Sequence, residues 1–269
     1  MGEISAIGLG CSRVGSFNNQ TPIDEVRATL RAALDLGVTV FDTANVYGQG
    51  DSEREIGRAI ADRRDQAYVV TKLGKVFSAK MRLMAFAKPL AKALLPRKTL
   101  AETVTTRRSS EIGTDFSAAA VAPNVEASLK RLKVERIDAL LLHSPAAATV
   151  RDPELAVALD RVRREGKIAA FGVSCDDIGC LRAALDMPGV TLLQLPVDLI
   201  EQAKAEGLSA RWMDQGVKVF AREVLRLRPQ GTSPAEAIAR SCADPTVACT
   251  IVGASKRQHL AEAVQACSS

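Results

Sequence analysis

The stretch from Val38 to Glu53, V-T-V-F-D-T-A-N-V-Y-G-Q-G-D-S-E, decides how this chain is read. Val38, Val40 and Phe41 are β-branched or aromatic, the side chains a buried strand favours. Asp42 falls where that strand should end, and Tyr47 sits in a glycine-punctuated loop. Ser52 and Glu55 then have the spacing of a capping box, which predicts the start of a helix. A carboxylate at a strand end and a phenol a few residues later are unusual choices for a bare connection. Asp42 and Tyr47 are therefore read as the centre of an active site.

Outward from this stretch, strand and helix signals alternate to both ends of the chain. Before it come a strand at 4–9 and a helix opened by Thr21-Pro22, with Val26, Leu30, Ala33 and Leu34 on one face and Gly37 closing it. After it come a helix at 52–63, a strand at 68–71 that ends at Lys72, and a helix marked by Val125, Leu129 and Leu132. A strand at 137–142 ends at His143, and Asp152-Pro153 opens the next helix. Strands at 168–173, 190–195, 217–221 and 247–252 follow, with helices after Asp177, at 201–215, at the Ser233–Glu236 capping box and at 255–266.

Eight strand–helix units over 269 residues predict an α/β fold: a (β/α)8 TIM barrel, a single domain over 1–269 with a long insertion after strand three. A doubly wound open sheet has the same alternation. Closure is favoured because Gly10, Asp42, Lys72, His143, Ser174, Gln194, Phe220 and Gly253 all fall at carboxyl ends of strands. In a barrel those ends form one ring at the catalytic face.

A hydrophobic content of 47% is enough for a sizeable core. The first residues lack a signal peptide's basic start and apolar run, and the apolar run at 81–95 is broken by Lys88, Pro89 and Lys92. Six cysteines show neither C-x-x-C pairing nor metal-ligand spacing, so reduced thiols in a cytoplasmic protein without a metal are expected. The net charge of +5 is uneven, because residues 75–119 carry nine Lys or Arg against three Asp or Glu. Basicity confined to one segment gives no ground for a nucleic-acid partner. In that segment Leu83, Phe86, Leu90 and Leu94 could share a helical face, which Pro89 would disturb. It is read as a lid over the carboxyl-end face, a membrane-surface or partner contact, or a flap with solvated charges.

Taken singly, His143 could be a core histidine, Lys72 could snorkel to water and Asp42 could accept a loop hydrogen bond. Together they make chemical sense. A free phenol titrates near ~10, and a nearby ammonium lowers that value. A carboxylate keeps the ammonium charged and aimed, and an imidazole orients a carbonyl oxygen. Tyr47, Lys72, Asp42 and His143 would then deliver a proton to an oxyanion.

These residues lie in stretches that resemble the aldo-keto reductase family. The matching segments are G-L-G-C at Gly8–Cys11, F-D-T-A-N-V-Y-G-Q-G-D-S-E at Phe41–Glu53, V-T-K-L-G at Val70–Gly74 and V-E-A-S-L-K-R-L at Val125–Leu132. They continue with I-D-A-L-L-L-H at Ile137–His143, F-G-V-S at Phe171–Ser174 and I-V-G-A-S at Ile251–Ser255. The resemblance implies a metal-free barrel using a nicotinamide cofactor, with Tyr47, Lys72, Asp42 and His143 as the catalytic tetrad. It implies Ser174 and Gln194 at the nicotinamide amide, Phe220 stacked on the ring, and Gly10, Cys11, Asp42, Gly253, Ser255 and Glu262 among the cofactor contacts. Cys175 and Ala263 stand where the family often has asparagine.

Cofactor choice has a second, independent argument. Ser255 and Gln258 have capping-box spacing, yet Lys256 and Arg257 fall in the first turn, at the positive end of the helix dipole. That placement costs roughly 0.3–1 kcal/mol per charge, and a bound phosphate would reverse the sign. NADPH is therefore expected over NADH, with two solvated surface charges as the plain alternative.

Met1 lies three residues before strand one, where family members usually carry a hairpin plugging the barrel floor. Ser269 follows the last helix, where many have a long pocket-forming loop. The expected activity is NADPH-dependent reduction of a small-molecule aldehyde or ketone by a monomer or small homo-oligomer. A sugar or alcohol dehydrogenase running in the oxidising direction, and a non-catalytic nucleotide-sensing partner protein on the same fold, stay open.

Overall fold

The computed structural model describes residues 2–16, 19, 21–77 and 112–268. Its strands are β1 (Ile7–Gly10), β2 (Val40–Asp42), β3 (Tyr68–Leu73), β4 (Lys75–Phe77), β5 (Ile112–Thr114), β6 (Ile137–His143), β7 (Ile168–Ser174), β8 (Val190–Pro196), β9 (Lys218–Arg222) and β10 (Cys249–Val252). Eight of these close into a parallel barrel in the order β1-β10-β9-β8-β7-β6-β3-β2. The alternation in the sequence is thus a closed barrel and not an open sheet. Strands β4 and β5 pair antiparallel beside it, Lys75 opposite Thr114 and Phe77 opposite Ile112. They are the described ends of the insertion; the proposed apolar face of Leu83, Phe86, Leu90 and Leu94 lies outside the described residues.

The helices are α1 (Ile23–Asp35), α2 (Asp51–Ala59), α3 (Ala118–Leu132), α4 (Ala147–Val150), α5 (Pro153–Arg164), α6 (Ile178–Asp186), α7 (Val197–Ala205), α8 (Leu208–Asp214), α9 (Pro234–Cys242) and α10 (Arg257–Cys267). Two cores follow from strand alternation. Inward side chains such as Val40, Val70, Leu141, Leu192, Phe220 and Ile251 fill the barrel as an apolar plug. Outward ones such as Phe41, Val69 and Leu140 pack against the buried helix faces, among them Leu30, Ile56, Leu132 and Leu260. The plug matters for function because whatever stands above it is held on a rigid floor.

Several local expectations change in three dimensions. Ser52 does not cap α2. Its Oγ is fully buried, donating to the Cys11 carbonyl at 2.9 Å and bonded to the Thr43 hydroxyl at 2.7 Å. Glu55 instead receives Arg27 and Arg58. Ser255 makes no cap either, because α10 starts after Lys256, and the Ser255 carbonyl accepts from Thr29. The caps at Asp152 and Asp177 and the Ser233–Glu236 box form as read. The helix expected at 201–215 is two, α7 and α8, broken at Gly207. The six cysteines are not all thiols: Cys242 and Cys267 are joined, tying the end of α9 to the end of α10. Their separation of 25 residues gave no local pattern to read; the adjacency of the two helices creates the pair.

Candidate active site

Three strands and one loop assemble the site. Asp42 closes β2, Lys72 lies near the end of β3 and His143 closes β6. Each stands one inward position above a plug residue: Asp42 above Val40, Lys72 above Val70, His143 above Leu141. Tyr47 comes from the loop after β2, which is clipped to the neighbouring strands. The amides of Thr43 and Asn45 donate to the carbonyls of Val70 and Lys72 at 2.8 and 3.3 Å, and the Asn45 side chain donates to the Lys75 carbonyl at 3.0 Å. Directly after Tyr47, Gly48 has a φ of 56°, and a Cβ there would stand 2.6 Å from the Val14 carbonyl oxygen. No other residue fits that turn.

The Lys72 ammonium is 1% exposed and donates to Asp42 Oδ1 at 2.5 Å and to the Thr43 carbonyl at 2.9 Å. It lies 5.3 Å from the centre of the Tyr47 ring. That ring meets His143 edge-on, with centres 5.7 Å apart. The four residues expected to act together are therefore brought together. Gln194 donates to the same Asp42 oxygen at 2.8 Å and accepts from Ser174 at 3.1 Å, so these two residues are hydrogen-bonded to the tetrad.

Burial reshapes the acid–base properties. It would depress the Lys72 pKa, but the charges of Asp42 and Tyr47 outweigh it, and the ammonium titrates above its usual range. Tyr47 goes the other way from the sequence expectation. Desolvation raises the phenol above its ordinary value despite the opposing pull of Lys72. His143 falls to about 2, through burial first and then the cations Lys72, Lys75 and Arg222. Its imidazole is neutral at any working pH, and its Nδ1 is buried with no partner among the described residues. The site is thus a protonated phenol, a fixed ammonium and a neutral imidazole around one space.

The other expected residues are distributed as follows. Cys11 is fully buried, with its thiol on the Leu9 carbonyl. Gly253 is exposed with open space where a Cβ would stand. Lys256 and Arg257 are exposed at the start of α10 with no ion pair among the described residues, and Gln258 donates to Glu262 at 2.9 Å. Phe220 is not at the mouth. It is fully buried in the plug, its ring 6.4 Å from that of Tyr68. Arg222, one inward position further along β9, takes the mouth position, and residue-type reasoning missed it. Counting inward positions up each strand, as Val70 leads to Lys72 and Gly172 to Ser174, would have found it. Two cavities of about 530 and 590 Å³ lie away from the tetrad, one between α7 and α9 and one beside α2.

The strands close into an eight-stranded parallel barrel whose carboxyl ends gather a phenol, an ammonium, a carboxylate and an imidazole. The chain matches the Aldo/keto reductase family over residues 6–228 and belongs to that family. It is 32% identical over 243 residues to D-threo-aldose 1-dehydrogenase from a Pseudomonas species, covering 82% of this chain and 66% of that protein. It is 28% identical over 177 residues to L-galactose dehydrogenase from Arabidopsis thaliana, covering 64% of this chain and 45% of that one. The chain thus spans less than two thirds of the length of these curated relatives. Among solved structures, an aldo-keto reductase from Klebsiella pneumoniae in complex with NADPH shares the fold, with a TM-score of 0.69 at 23% identity over 99% of this chain and 86% of that one. Among the described residues no helix is long and apolar enough to cross a membrane.

Proposed function

We propose that the protein is an NADPH-dependent reductase of aldehydes or ketones. The observation that carries this reading is the buried Lys72–Asp42 pair set against the Tyr47 ring at the mouth of the barrel. The residues fit a nicotinamide dinucleotide. Open space above Gly253, and Lys256 and Arg257 without an ion pair among the described residues, suit a dinucleotide running from the mouth to the start of α10. Gly10, Cys11, Asp42, Ser174, Gln194, Gly253, Ser255, Lys256, Arg257 and Glu262 would hold it. Ser174 and Gln194 would meet the carboxamide, and the two basic residues the 2′-phosphate. Phe220 would need its ring uncovered to stack on the nicotinamide.

When bound, the cofactor supplies the hydride that reaches the carbonyl carbon. Everything else falls to this chain. Tyr47 holds the proton needed by the oxygen as negative charge develops there, and burial keeps the phenol protonated at neutral pH. The Lys72 ammonium stabilises the phenolate that remains, and Asp42 keeps that ammonium charged. His143 offers an uncharged N–H to orient the carbonyl oxygen.

The same groups run in reverse, Tyr47 then serving as base. Oxidation of a sugar or alcohol is a second reading, favoured by the two sugar dehydrogenases among the relatives. The test is NADPH consumption with a panel of aldehydes and NADP⁺ reduction with a panel of sugars, for the wild type and Tyr47→Phe. The variant should lose roughly 10²–10⁴ in turnover with unchanged cofactor affinity. Full activity in Tyr47→Phe would refute the reading. Cofactor binding without turnover of any carbonyl or alcohol would point to a nucleotide-sensing partner protein.

A further inference from the structure

The chain holds six cysteines, and the fold sorts them into two kinds. Cys11, Cys175, Cys180 and Cys249 are free and fully buried. Burial pushes the thiols of Cys11, Cys175 and Cys249 up, which keeps them protonated and unreactive. Cys242 and Cys267 are joined, half-buried and open to solvent on one side, with Cα atoms 5.6 Å apart. The joined pair is therefore the one that a redox partner can reach. The tetrad chemistry makes no use of it.

The crosslink closes a loop between residues 25 apart. Inside that loop lie β10, Gly253, Ser255, Lys256, Arg257 and Glu262. These are the residues proposed above to hold the part of the dinucleotide that reaches α10, including both cations for its 2′-phosphate. Ser174 and Gln194, at the nicotinamide end, lie outside the loop. Helix α10 is the rod between the two places. Arg257 begins it and Cys267 ends it, 11 residues long and so about 16 Å. Packing holds this rod lightly. Its buried face is Leu260, Ala263 and Ala266, one large side chain and two methyl groups. Its start has no side-chain cap, and the Thr29 hydroxyl meets the Ser255 carbonyl at a long 3.3 Å. With the crosslink closed, the end of α10 is fixed to the end of α9. With it open, α10 regains freedom that cofactor binding must then remove.

We propose that Cys242 and Cys267 form a thiol–disulfide switch on cofactor affinity, the disulfide form binding the dinucleotide tightly and the dithiol form weakly. This rests on the reductase reading and adds its regulation. To close the pair, one cysteine thiolate attacks a small-molecule disulfide and expels one thiolate. The second cysteine thiolate then displaces the other half. Two cysteine thiols are oxidised, the external disulfide is reduced to two thiols, and the two protons pass to them. Opening is the reverse, driven by an external dithiol. The coupling is reciprocal: bound cofactor resists opening by the same factor by which opening weakens cofactor binding.

The experiment uses the whole chain, oxidised by glutathione disulfide or reduced by dithiothreitol, beside a Cys242→Ser, Cys267→Ser double variant. Calorimetry gives the NADP⁺ affinity of each, and far-UV circular dichroism follows the fold. Thiol alkylation and mass measurement give the disulfide fraction in dithiothreitol redox buffers, with and without saturating NADP⁺. Reduction should weaken NADP⁺ binding roughly tenfold with the circular dichroism unchanged, and the double variant should match the reduced protein in either buffer. NADP⁺ should move the redox midpoint by the same factor, about 30 mV for tenfold. Equal NADP⁺ affinity in the two forms overturns the switch and leaves the reductase reading intact. So does loss of the fold on reduction, which makes the pair a structural staple, or a midpoint that NADP⁺ does not move. Redox-dependent NADP⁺ affinity without turnover of any carbonyl or alcohol overturns the reductase reading and keeps the switch. No nucleotide affinity in either form overturns both.

Discussion

Replacing Asp42 by Asn should unfold the barrel mouth more than it rearranges it. The substitution keeps the shape and an oxygen acceptor for Lys72 and Gln194, and removes only the charge. At the observed 2.5 Å, with an effective dielectric near 20, the Coulomb attraction lost is about 6–7 kcal/mol before any relaxation. Part of this is offset because the carboxylate no longer has to be desolvated, and breaking a buried pair costs about 3–5 kcal/mol in practice. Urea unfolding read from Trp212, the single tryptophan and 1% exposed, measures it directly. With a slope of about 2–3 kcal/mol/M the midpoint should fall by about 1–2 M at pH 7. The pH dependence has a definite sign. In the wild type the Lys72 pKa lies above its unfolded value, so the pair stabilises fully below lysine's ordinary value near ~10.4 and is lost as pH rises through the higher folded value. In Asp42→Asn burial dominates, the folded pKa drops, and the deficit is greatest at neutral pH and shrinks as pH approaches ~10. Adding Lys72→Met should recover much of the loss. A variant within about 1 kcal/mol of wild type at pH 7, or a deficit that grows toward alkaline pH, would refute the argument.

Three further outcomes are expected. Reduction should show no acid limb near the usual histidine value, because His143 titrates only at about 2, and should fall only at alkaline pH as the raised phenol ionises; an acid limb abolished by His143→Asn would contradict this. Gly74→Ala should lower stability by about 1–3 kcal/mol in thermal or urea unfolding, since Gly74 holds a φ of 103° and a Cβ would stand 1.9 Å from the Phe116 ring. Glu53→Gln should cost about 1–3 kcal/mol in the same assay with little change in KM, because the buried Glu53 carboxylate holds Arg131 at 2.5 Å and the Thr71 hydroxyl at 2.7 Å, away from the tetrad.

The eight strand–helix units were legible in the sequence because hydrophobic period and caps are local signals. Asp42, Tyr47, Lys72 and His143 were legible because polar side chains at strand ends stand out against apolar runs. What stayed hidden depends on neighbours distant in sequence. Ser52 reads as a cap but bonds Cys11 and Thr43, and Cys242 meets Cys267 only because α9 and α10 pack side by side. Phe220 reads as a mouth residue, and only the inward alternation above the plug shows it buried, with Arg222, which drew no reading, one inward position beyond it. The acidity of Tyr47 also lay beyond the sequence. Which of burial and Lys72 prevails depends on how much water the barrel excludes, and that is a property of all eight strands together. Local order along the chain determined the barrel and the polar groups that end its strands; closure of the barrel alone decided their charge and their partners.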